Sequence, residues 1–246
     1  MKSAILTLLV LLLPGFLSAA ELSGEDILDR IDRNLVAENR LATSTMVIKG
    51  RRGTRTMTSR SWVQGVEKSF TEYLSPPREK GTKMLKLGDE LWIYSPSTDR
   101  TIKIAGHMLR RSMMGSDVSY EDFMEDPELA KSYKAEVVGS EDISGRPCYI
   151  VKLEATREDL AYHMRMLWVD KKRFVPLREE LFAKSGTLLK RLSIEEIEYL
   201  DGRWYPKRMI FKDMLQKGDG TEFILNEVLF NVDIPDHIFS KASLRR

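Results

Sequence analysis

Hydrophobic and polar residues alternate with a period of two over most of the chain, from Thr43 to Ile104 and again after residue 132. This alternation predicts β-strands. Six alternating runs lie in the first region and seven in the second, and turn-forming residues separate them. One separator, Asp201-Gly202, predicts a two-residue hairpin turn. The pattern therefore predicts about a dozen short antiparallel strands joined by local turns.

A helical pattern precedes the strands. Four apolar residues recur there at helical spacing and form one stripe: Ile27, Leu28, Ile31 and Leu35. Ser23 can cap this helix, and Asp26 stands three residues later, as a capping box requires. Because the stripe needs an apolar partner, we expect the helix to pack against one face of the sheet.

The segment from Met108 to Leu129 interrupts the strands with four methionines, two adjacent arginines and six acidic residues. Ser119 with Asp122 predicts a capped helix, and Asp126-Pro127 predicts the start of a second helical turn. One hypothesis is that the segment is a movable lid over an apolar cavity, and the alternative is a structural plug. The apolar residues of the lid would be Met108, Leu109, Met113, Met114 and Phe123.

Two of the predicted strands carry large apolar residues on one face. Met164, Met166 and Trp168 alternate along one strand, and Met209 and Phe211 alternate along another. Methionine is unbranched and polarizable, so it suits a surface that must adapt to varied apolar shapes. These five residues are therefore candidate lining residues of a ligand-binding cavity in a curved sheet. The same pattern is also typical of a filled core.

Motifs of catalysis are absent from the sequence. It has no G-x-S-x-G, P-loop, dinucleotide-binding or CxxC motif, and its three histidines stand far apart. His107 with Asp117, Glu121 and Asp122 is the one conceivable metal cluster, but acid-rich turns of this kind usually cap helices or face water. We therefore expect no enzymatic activity, no metal and no cofactor.

The first twenty residues combine a basic start, a short apolar core, and small residues at Ser18 and Ala20. This pattern predicts a secretory signal peptide cleaved after Ala20, followed by a single exported domain at 21–246. The chain has 39 basic and 37 acidic residues, a balance that gives no argument for nucleic-acid binding. Cys148 is the only cysteine, so we expect no internal disulfide, and its flanks predict a buried position on a strand.

Five stretches carry a resemblance to a known family: YLSPPREKGTKMLKLGDELWIYSPSTDRTIKI, MMGSDVSYEDF, LWVDKKRFVPLREELFAKSGTLLK, DGRWYPKRM and NVDIPDHIFS. As an ordered set they resemble the LolA/LolB-like superfamily of periplasmic lipoprotein carriers, in its outer membrane lipoprotein-sorting branch. The resemblance implies a mainly β (α+β) fold, either a half-open antiparallel β-barrel or a strongly curved sheet, with helices covering an apolar cavity for acyl chains. Arg110 and Arg111 are candidates, by location alone, for the arginine of the carriers' lid.

The resemblance and the residue patterns together predict a periplasmic carrier or chaperone. It would bind a lipid, or the acyl chains of a lipoprotein, for transfer across the cell envelope, with a transport partner in the inner or outer membrane. An acyl chain gains about 0.8 kcal/mol for each CH₂ that moves from water into an apolar site. Two alternatives stay open: a non-enzymatic interaction module or accessory of a membrane lipid exporter, and a hydrolase acting on lipids.

Overall fold

The computed structural model describes residues 22–50 and 53–245. The predicted signal peptide, with its cleavage position after Ala20, lies outside these described residues. Among the described helices, none combines the length and the apolar character that crossing a membrane would require.

Within the described residues, thirteen strands form one antiparallel sheet. In chain order they are β1 (Asn39–Gly50), β2 (Gly53–Gln64), β3 (Lys68–Ser75), β4 (Lys83–Leu87), β5 (Glu90–Ser95), β6 (Arg100–Ile104), β7 (Tyr133–Ile143), β8 (Arg146–Ala155), β9 (Met164–Asp170), β10 (Pro176–Phe182), β11 (Leu188–Leu200), β12 (Arg203–Asp213) and β13 (Thr221–Phe230). The strands coincide with the six and seven alternating runs, which confirms the mainly β prediction.

The sheet consists of two meanders that meet at one strand pair. Strands β1 to β6 are neighbours in sequence order, as are β7 to β13, and β1 pairs with β13. The two edges of the sheet are therefore β6 and β7, although these strands are consecutive along the chain. Because β6 and β7 do not pair, the sheet is curved but unclosed. Of the two predicted forms, the structure has the curved sheet, and the sheet is not a closed barrel.

Two α-helices lie in the described ranges, α1 (Gly24–Leu35) and α2 (Tyr120–Met124). Both begin with the predicted capping boxes: the hydroxyls of Ser23 and Ser119 accept from the backbone N–H groups of Asp26 and Asp122, each at 3.1 Å. Five short 3₁₀ helices accompany them: Gly106–Met108, Met113–Gly115, Leu129–Lys131, Asp236–Phe239 and Lys241–Arg245.

The predicted start of a helical turn at Asp126-Pro127 is wrong. The side chain of Asp126 accepts from the N–H of Glu128 at 2.9 Å, which forms a local turn instead of a helix cap. The next helical turn begins only at Leu129. Asp126 before proline therefore forms a turn and does not start another helix.

The hairpin between β11 and β12 has the predicted turn. Asp201 and Gly202 have φ angles of 46° and 79°, and a type I′ turn requires this left-handed backbone at both central residues. Leu200 and Arg203 are direct register partners on either side of them. The turn therefore sets the register of β11 and β12.

Helix α1 packs on one face of the sheet, which we call the inner face. The predicted stripe makes this contact, because Ile27, Leu28 and Ile31 are fully buried against Leu167 and Val169 of β9. Full burial of such side chains contributes about 2 kcal/mol each. The prediction that the helix packs on one sheet face is confirmed.

The opposite, outer face has two apolar clusters. Residues 231–245 pack on the first meander, where a cluster forms from Phe70, Leu85, Trp92, Ile234, Phe239 and Leu244. On the second meander, Cys148 is fully buried beside Trp168 and Leu177. This burial confirms the prediction that Cys148 is a small buried residue on a strand, and it raises the pKa of the thiol.

Candidate functional site

Residues 105–132, here called the cover segment, connect the two edge strands β6 and β7 and contain α2 with three single-turn helices. On β9, Arg165 and Leu167 lie two residues apart and therefore share a face. Leu167 packs against α1, whereas Arg165 forms an ion pair with Glu125 of the cover segment. The cover segment therefore lies on the inner face, as α1 does.

Apolar side chains of the cover segment and of the sheet form one cluster, here called the cover cluster. Its buried members are Met46, Ile48, Met57, Tyr73, Met84, Leu91, Ile93, Ile104, Met113 and Val118. Partly buried residues around them are Met108, Leu109, Met114, Tyr120, Phe123, Met124, Phe211 and Phe223. Seven of the twelve methionines of the chain take part. Much of the contact between cover and sheet is therefore made by flexible, polarizable side chains.

A row of large apolar side chains crosses the middle of the inner face. Met57, Met46, Phe223 and Met209 are successive register partners on β2, β1, β13 and β12. Register partners on neighbouring strands point to the same face of a sheet. The apolar surface is therefore continuous across the strand pair that joins the two meanders.

Charged contacts hold the end of α2 to the sheet. Arg165 is only 4% exposed and lies between two carboxylates, that of Glu179 on β10 at 2.7 Å and that of Glu125 directly after α2. Its guanidinium also lies 4.7 Å and 5.5 Å from the ring centroids of Tyr133 and Tyr162. Burial disfavours the charge on Arg165, but the two carboxylates outweigh this effect and raise its pKa.

Burial also acts on the groups that face Arg165. It raises the pKa of Glu125 in spite of the opposing effect of the guanidinium. Burial and the neighbouring carboxylate of Asp122 together raise the pKa of Tyr162, so this hydroxyl keeps its proton. The Tyr162 hydroxyl donates to Asp122 in α2, and the Tyr133 hydroxyl donates to the Tyr162 carbonyl at 3.0 Å. A buried polar network therefore connects α2 to strands of the second meander and to the loop before β9.

Asp117 connects the cover segment to the second meander. Its carboxylate accepts from the Thr221 hydroxyl at 2.7 Å and from the N–H of Asp213 at 3.1 Å. The ammonium of Lys190 donates to the Asp117 carbonyl and to the Asp213 carboxylate, each at 2.8 Å. Asp117 and Asp122, which the sequence placed in one conceivable metal cluster, thus serve separate contacts. Over residues 22–50 and 53–245, no three His, Cys, Asp or Glu side chains are arranged to hold a metal ion.

The five predicted lid residues all take part in the cover cluster. Met113 is buried, and the other four are partly buried: Met108, Leu109, Met114 and Phe123. Met114 has a left-handed backbone with φ 52°, and its carbonyl accepts from the Arg55 guanidinium of β2 at 3.0 Å. Arg110 and Arg111 are exposed, whereas Arg165 makes the buried contact with the segment. The opening of this segment as a lid stays a prediction.

The five predicted lining residues are divided between the two faces of the sheet. Phe211 lies on the inner face against the cover cluster, and Met209 shares its face two residues away. Met166 and Trp168 pack together on the outer face, and Met164 alternates with them. Alternation along a strand shows which residues share a face, but the side that turns toward the cover depends on the tertiary structure.

Trp168 has polar neighbours on that outer face. Its indole N–H donates to the Glu141 carboxylate at 2.5 Å, and the Arg178 guanidinium lies 3.6 Å from its ring centroid. Both partners belong to the second meander, so they hold the indole in place without any part of the cover segment. The sheet would therefore separate Trp168 from a ligand under the cover segment.

Sequence reasoning missed several members of the site: Met46, Met57, Arg165, Tyr162 and Phe223. For Arg165 a signal was present, because it alternates with the apolar Leu167 and Val169 and a charge among buried residues needs partners. Met46 and Phe223 lie far apart in the sequence, and only the pairing of β1 with β13 brings them together.

Two clefts flank the loop at residues 157–162, beside the cover segment. One has a volume of about 370 Å³ and is lined in part by Lys86 and Met124. The other has a volume of about 620 Å³ and is lined in part by Arg110 and Tyr162. Leu160 borders both, and charged and polar residues form most of the wall of the smaller cleft. The buried residues of the cover cluster lie beneath the cover segment and line neither cleft.

Three solved structures share this fold. A DUF1329 family protein from Desulfovibrio piger aligns with a TM-score of 0.82 at 23% identity, over 90% of this chain and 97% of that chain. A domain assigned to outer membrane lipoprotein sorting, from Vibrio parahaemolyticus, has a TM-score of 0.78 at 24% identity, over 91% and 98%. A LolA superfamily protein from Nitrosomonas europaea has a TM-score of 0.75 at 22% identity, over 91% and 100%.

Comparison of sequences adds one family. Residues 65–246 match the model of a family that is described only as an uncharacterized protein. Curated proteins gave no match to the chain. The resemblance to the LolA/LolB-like superfamily is confirmed at the level of the fold. The chain therefore belongs to the uncharacterized family whose model covers residues 65–246, and it has the LolA-like fold.

Proposed function

We propose that this protein is a non-enzymatic carrier that binds acyl chains, of a lipid or a lipoprotein, between the inner face of the sheet and the cover segment. One observation carries the proposal. The contact between cover and sheet is apolar and rich in methionine, while charged groups around Arg165 and Asp117 hold the segment in place. Displacement of the cover would expose a continuous apolar surface, and an acyl chain could replace the contacts that the cover gives up.

The exchange has a favourable and an unfavourable part. A dozen CH₂ groups moved from water into an apolar site gain roughly 10 kcal/mol. Lifting the cover costs its apolar contacts and the polar contacts of Arg165, Tyr162 and Asp117. Hydrogen bonds of this kind contribute about 1 kcal/mol each, and those to charged groups about 2 kcal/mol. An acyl chain can therefore offset the loss of several such polar contacts.

The proposed setting is the periplasm, with a transport partner in the inner or outer membrane. The signal-peptide pattern of residues 1–20 supports export. The shared fold of the lipoprotein-sorting domain and of the LolA superfamily protein supports a role with lipids or lipoproteins. The proposal includes no catalytic step.

Two methionines allow a matched test of the binding face. Met209 and Met166 are both partly buried on strands of the second meander, but Met209 points to the inner face and Met166 to the outer face. We expect the purified protein to bind a fluorescent fatty acid or lysolipid saturably. Met209→Gln should weaken this binding about tenfold, because a polar amide would be desolvated against an acyl chain. Met166→Gln should leave the dissociation constant unchanged.

The opposite results would overturn the proposal. Saturable binding that Met166→Gln weakens and Met209→Gln does not would place the ligand on the outer face. Absence of saturable binding for every acyl chain length tested would remove the carrier function altogether. The melting temperature of both variants must stay close to that of the wild type for the comparison to hold.

An interaction module, or an accessory of a membrane lipid exporter, is the second candidate function. The observation that favours it is the filled inner face, since Met113 and Val118 of the cover segment are buried in the cover cluster like core residues. Hydrogen exchange separates the two functions. A carrier predicts faster exchange at residues 108–115 than in β9, and slower exchange there when lipid is bound. A permanent plug predicts slow exchange at residues 108–115 with and without lipid.

A further inference from the structure

The larger of the two clefts, with a volume of about 620 Å³, opens where the cover segment meets the ends of β11 and β12. The cover segment contributes Arg110, Ser119 and Glu121 to its wall. The sheet contributes Lys190, near the start of β11, and Asp213, the last residue of β12. The cleft therefore lies at a margin of the cover segment.

The sheet residues of this cleft point to the inner face. Lys190 and Asp213 are register partners, and two residues further along the same strands Leu192 pairs with Phe211, which packs on the cover cluster. Side chains two residues apart on a strand share a face. The Lys190 ammonium lies 5.9 Å from the Phe211 ring centroid. The cleft therefore ends beside the apolar surface that the cover segment covers.

The apolar strip beyond this pair is partly accessible. Ile194 and Met209 are the next register partners along the same face, and both are only partly buried, as Leu192 and Phe211 are. Side chains of a filled core have almost no accessible surface. The cover segment therefore leaves part of this strip uncovered, and a chain of CH₂ groups can lie against it.

Lys190 and Asp213, here called the gate pair, close the inner end of the cleft. The Lys190 ammonium donates to the Asp213 carboxylate and to the Asp117 carbonyl of the cover segment, each at 2.8 Å. The two side chains of the gate pair are 12% and 14% exposed. Water in the cleft can replace the hydrogen bond to the carbonyl when the cover segment moves. The contact between gate pair and cover segment can therefore break without leaving a buried charge unpaired.

An exposed apolar side chain stands at the rim of the same cleft. Leu215 lines the cleft and is 69% exposed. The Asp213 carboxylate accepts from the N–H of Leu215 and from the side-chain amide of Gln216, each at 3.0 Å, so the rim is tied to the gate pair. Leu160 and Leu189 line the cleft as well. Three leucines therefore offer apolar contacts between solvent and the inner face.

We propose that this cleft is the portal through which an acyl chain enters the space between the inner face and the cover segment, with Leu215 at its rim and the gate pair at its inner end. The inference rests on the proposed function, since it names the route to the same site. The smaller cleft is the competing route. Charged and polar residues form most of its wall, so it offers an entering acyl chain fewer apolar contacts.

Bulky labels on single introduced cysteines test the portal. Cys148 is the only cysteine of the chain and is fully buried, so a maleimide reacts selectively with an exposed introduced thiol. Leu215→Cys carries the label at the rim of the larger cleft. Asp89→Cys is the matched control, because Asp89 is also exposed but lines the smaller cleft. The readout is the association rate constant of a fluorescent fatty acid, measured by stopped flow for each variant with and without a polyethylene glycol maleimide.

We expect the label on Leu215→Cys to lower the association rate constant at least about tenfold, and the label on Asp89→Cys to change it less than about twofold. A methylthio label on Leu215→Cys should leave the rate unchanged, because it adds little bulk. The dissociation constant should change less than the rate, since an obstructed portal slows entry and exit alike.

Two results would overturn the portal and leave the carrier function intact. One is an unchanged rate when Leu215→Cys carries the large label, and the other is an equal or larger slowing by the label on Asp89→Cys. Absence of saturable fatty-acid binding in the unlabelled proteins is a different result, since it would remove the carrier function and the portal with it.

Discussion

At the scale of single residues, Arg165 has the most unusual environment in the site. It lies on a strand between apolar residues that pack against α1, yet its guanidinium is buried between Glu179 and Glu125. Removing one member of such a group leaves the others charged and desolvated. Arg165 therefore determines whether the end of α2 stays on the sheet.

We predict that Arg165→Met lowers the free energy of unfolding by about 3 kcal/mol or more, because Glu179 and Glu125 would be left without a cation. The triple variant with Glu125→Gln and Glu179→Gln should recover most of that loss. Urea unfolding of the three proteins measures both effects. A loss below about 1 kcal/mol in the single variant would mean that the two carboxylates find other partners.

Asp32 of α1 makes the free energy of unfolding depend on pH. Burial and the nearby Glu128 raise the pKa of its carboxyl from 3.8 to about 6 in the folded protein. Between these two values the unfolded chain loses the proton while the folded chain keeps it, so Asp32 lowers the free energy of unfolding as pH rises from about 4 to about 6. Above the folded pKa this cost is constant.

Asp32→Asn should therefore stabilise the fold at pH 7 by about 1–2 kcal/mol, a value reduced for the screening of a carboxyl that water still reaches. The gain should vanish near pH 3.5, where the carboxyl is protonated in both states. Unfolding curves of both proteins across this pH range provide the measurement. Glu25→Gln, on the exposed first turn of the same helix, should give no gain, because a negative charge is favourable there. A gain in stability that does not change with pH would contradict the raised pKa of the Asp32 carboxyl.

At the scale of elements, α2 is too short to be stable without tertiary contacts. It spans five residues, Tyr120–Met124, and isolated helices need more than about twelve. Its capping box and the contacts of Asp122 and Glu125 with Tyr162 and Arg165 hold it in place. The middle of the cover segment therefore depends on polar contacts at one end of α2 and on the cover cluster beneath it.

Tyr162→Phe should loosen the cover segment without disturbing the sheet. The change removes the hydrogen bond to Asp122, and we expect a loss of about 1 kcal/mol with faster hydrogen exchange at residues 119–124. Tyr133→Phe is the matched control, since it also removes one tyrosine hydrogen bond, but to the carbonyl of Tyr162 and not to the cover segment. Equal acceleration of exchange at residues 119–124 in both variants would show that Asp122 does not depend on Tyr162.

At the scale of the whole molecule, the sheet has two free edges, and the cover segment connects them. Strands β6 and β7 lie at opposite ends of the strand order, so residues 105–132 must run from one edge to the other across the inner face. Residues 231–245 cover part of the outer face. A connection of this kind can move without breaking the ladder of the sheet, because no pair of neighbouring strands depends on it.

Export is the prediction that concerns the full chain. When the gene is expressed in a Gram-negative host, the soluble periplasmic fraction should contain a protein that begins at Glu21. The reason is the short apolar core of residues 4–13 followed by small residues at Ser18 and Ala20. N-terminal sequencing provides the measurement. Recovery of a membrane-bound chain that retains Met1 would show that the apolar segment is an anchor.

Local patterns of the sequence determined the elements. The period of two predicted the strands, Asp201-Gly202 predicted its hairpin, and Ser23 and Ser119 predicted both capping boxes. These signals depend on contacts within a few residues, so the sequence contains them directly. The resemblance of five stretches supplied the LolA-like fold, which local patterns alone do not specify. The prediction of a helical turn at Asp126-Pro127 was wrong because aspartate caps turns as readily as helices.

Only the tertiary structure decided which face of each strand turns inward and which distant residues meet there. Met166 and Met209 have the same local pattern, yet one lies on the outer face and the other on the inner face. The pairing of β1 with β13 joins Met46 to Phe223, and the return of the cover segment over the sheet brings Glu125 to Arg165. Strand pairing and the packing of the segment act between residues far apart in the chain, and alternation along one strand contains no information about either.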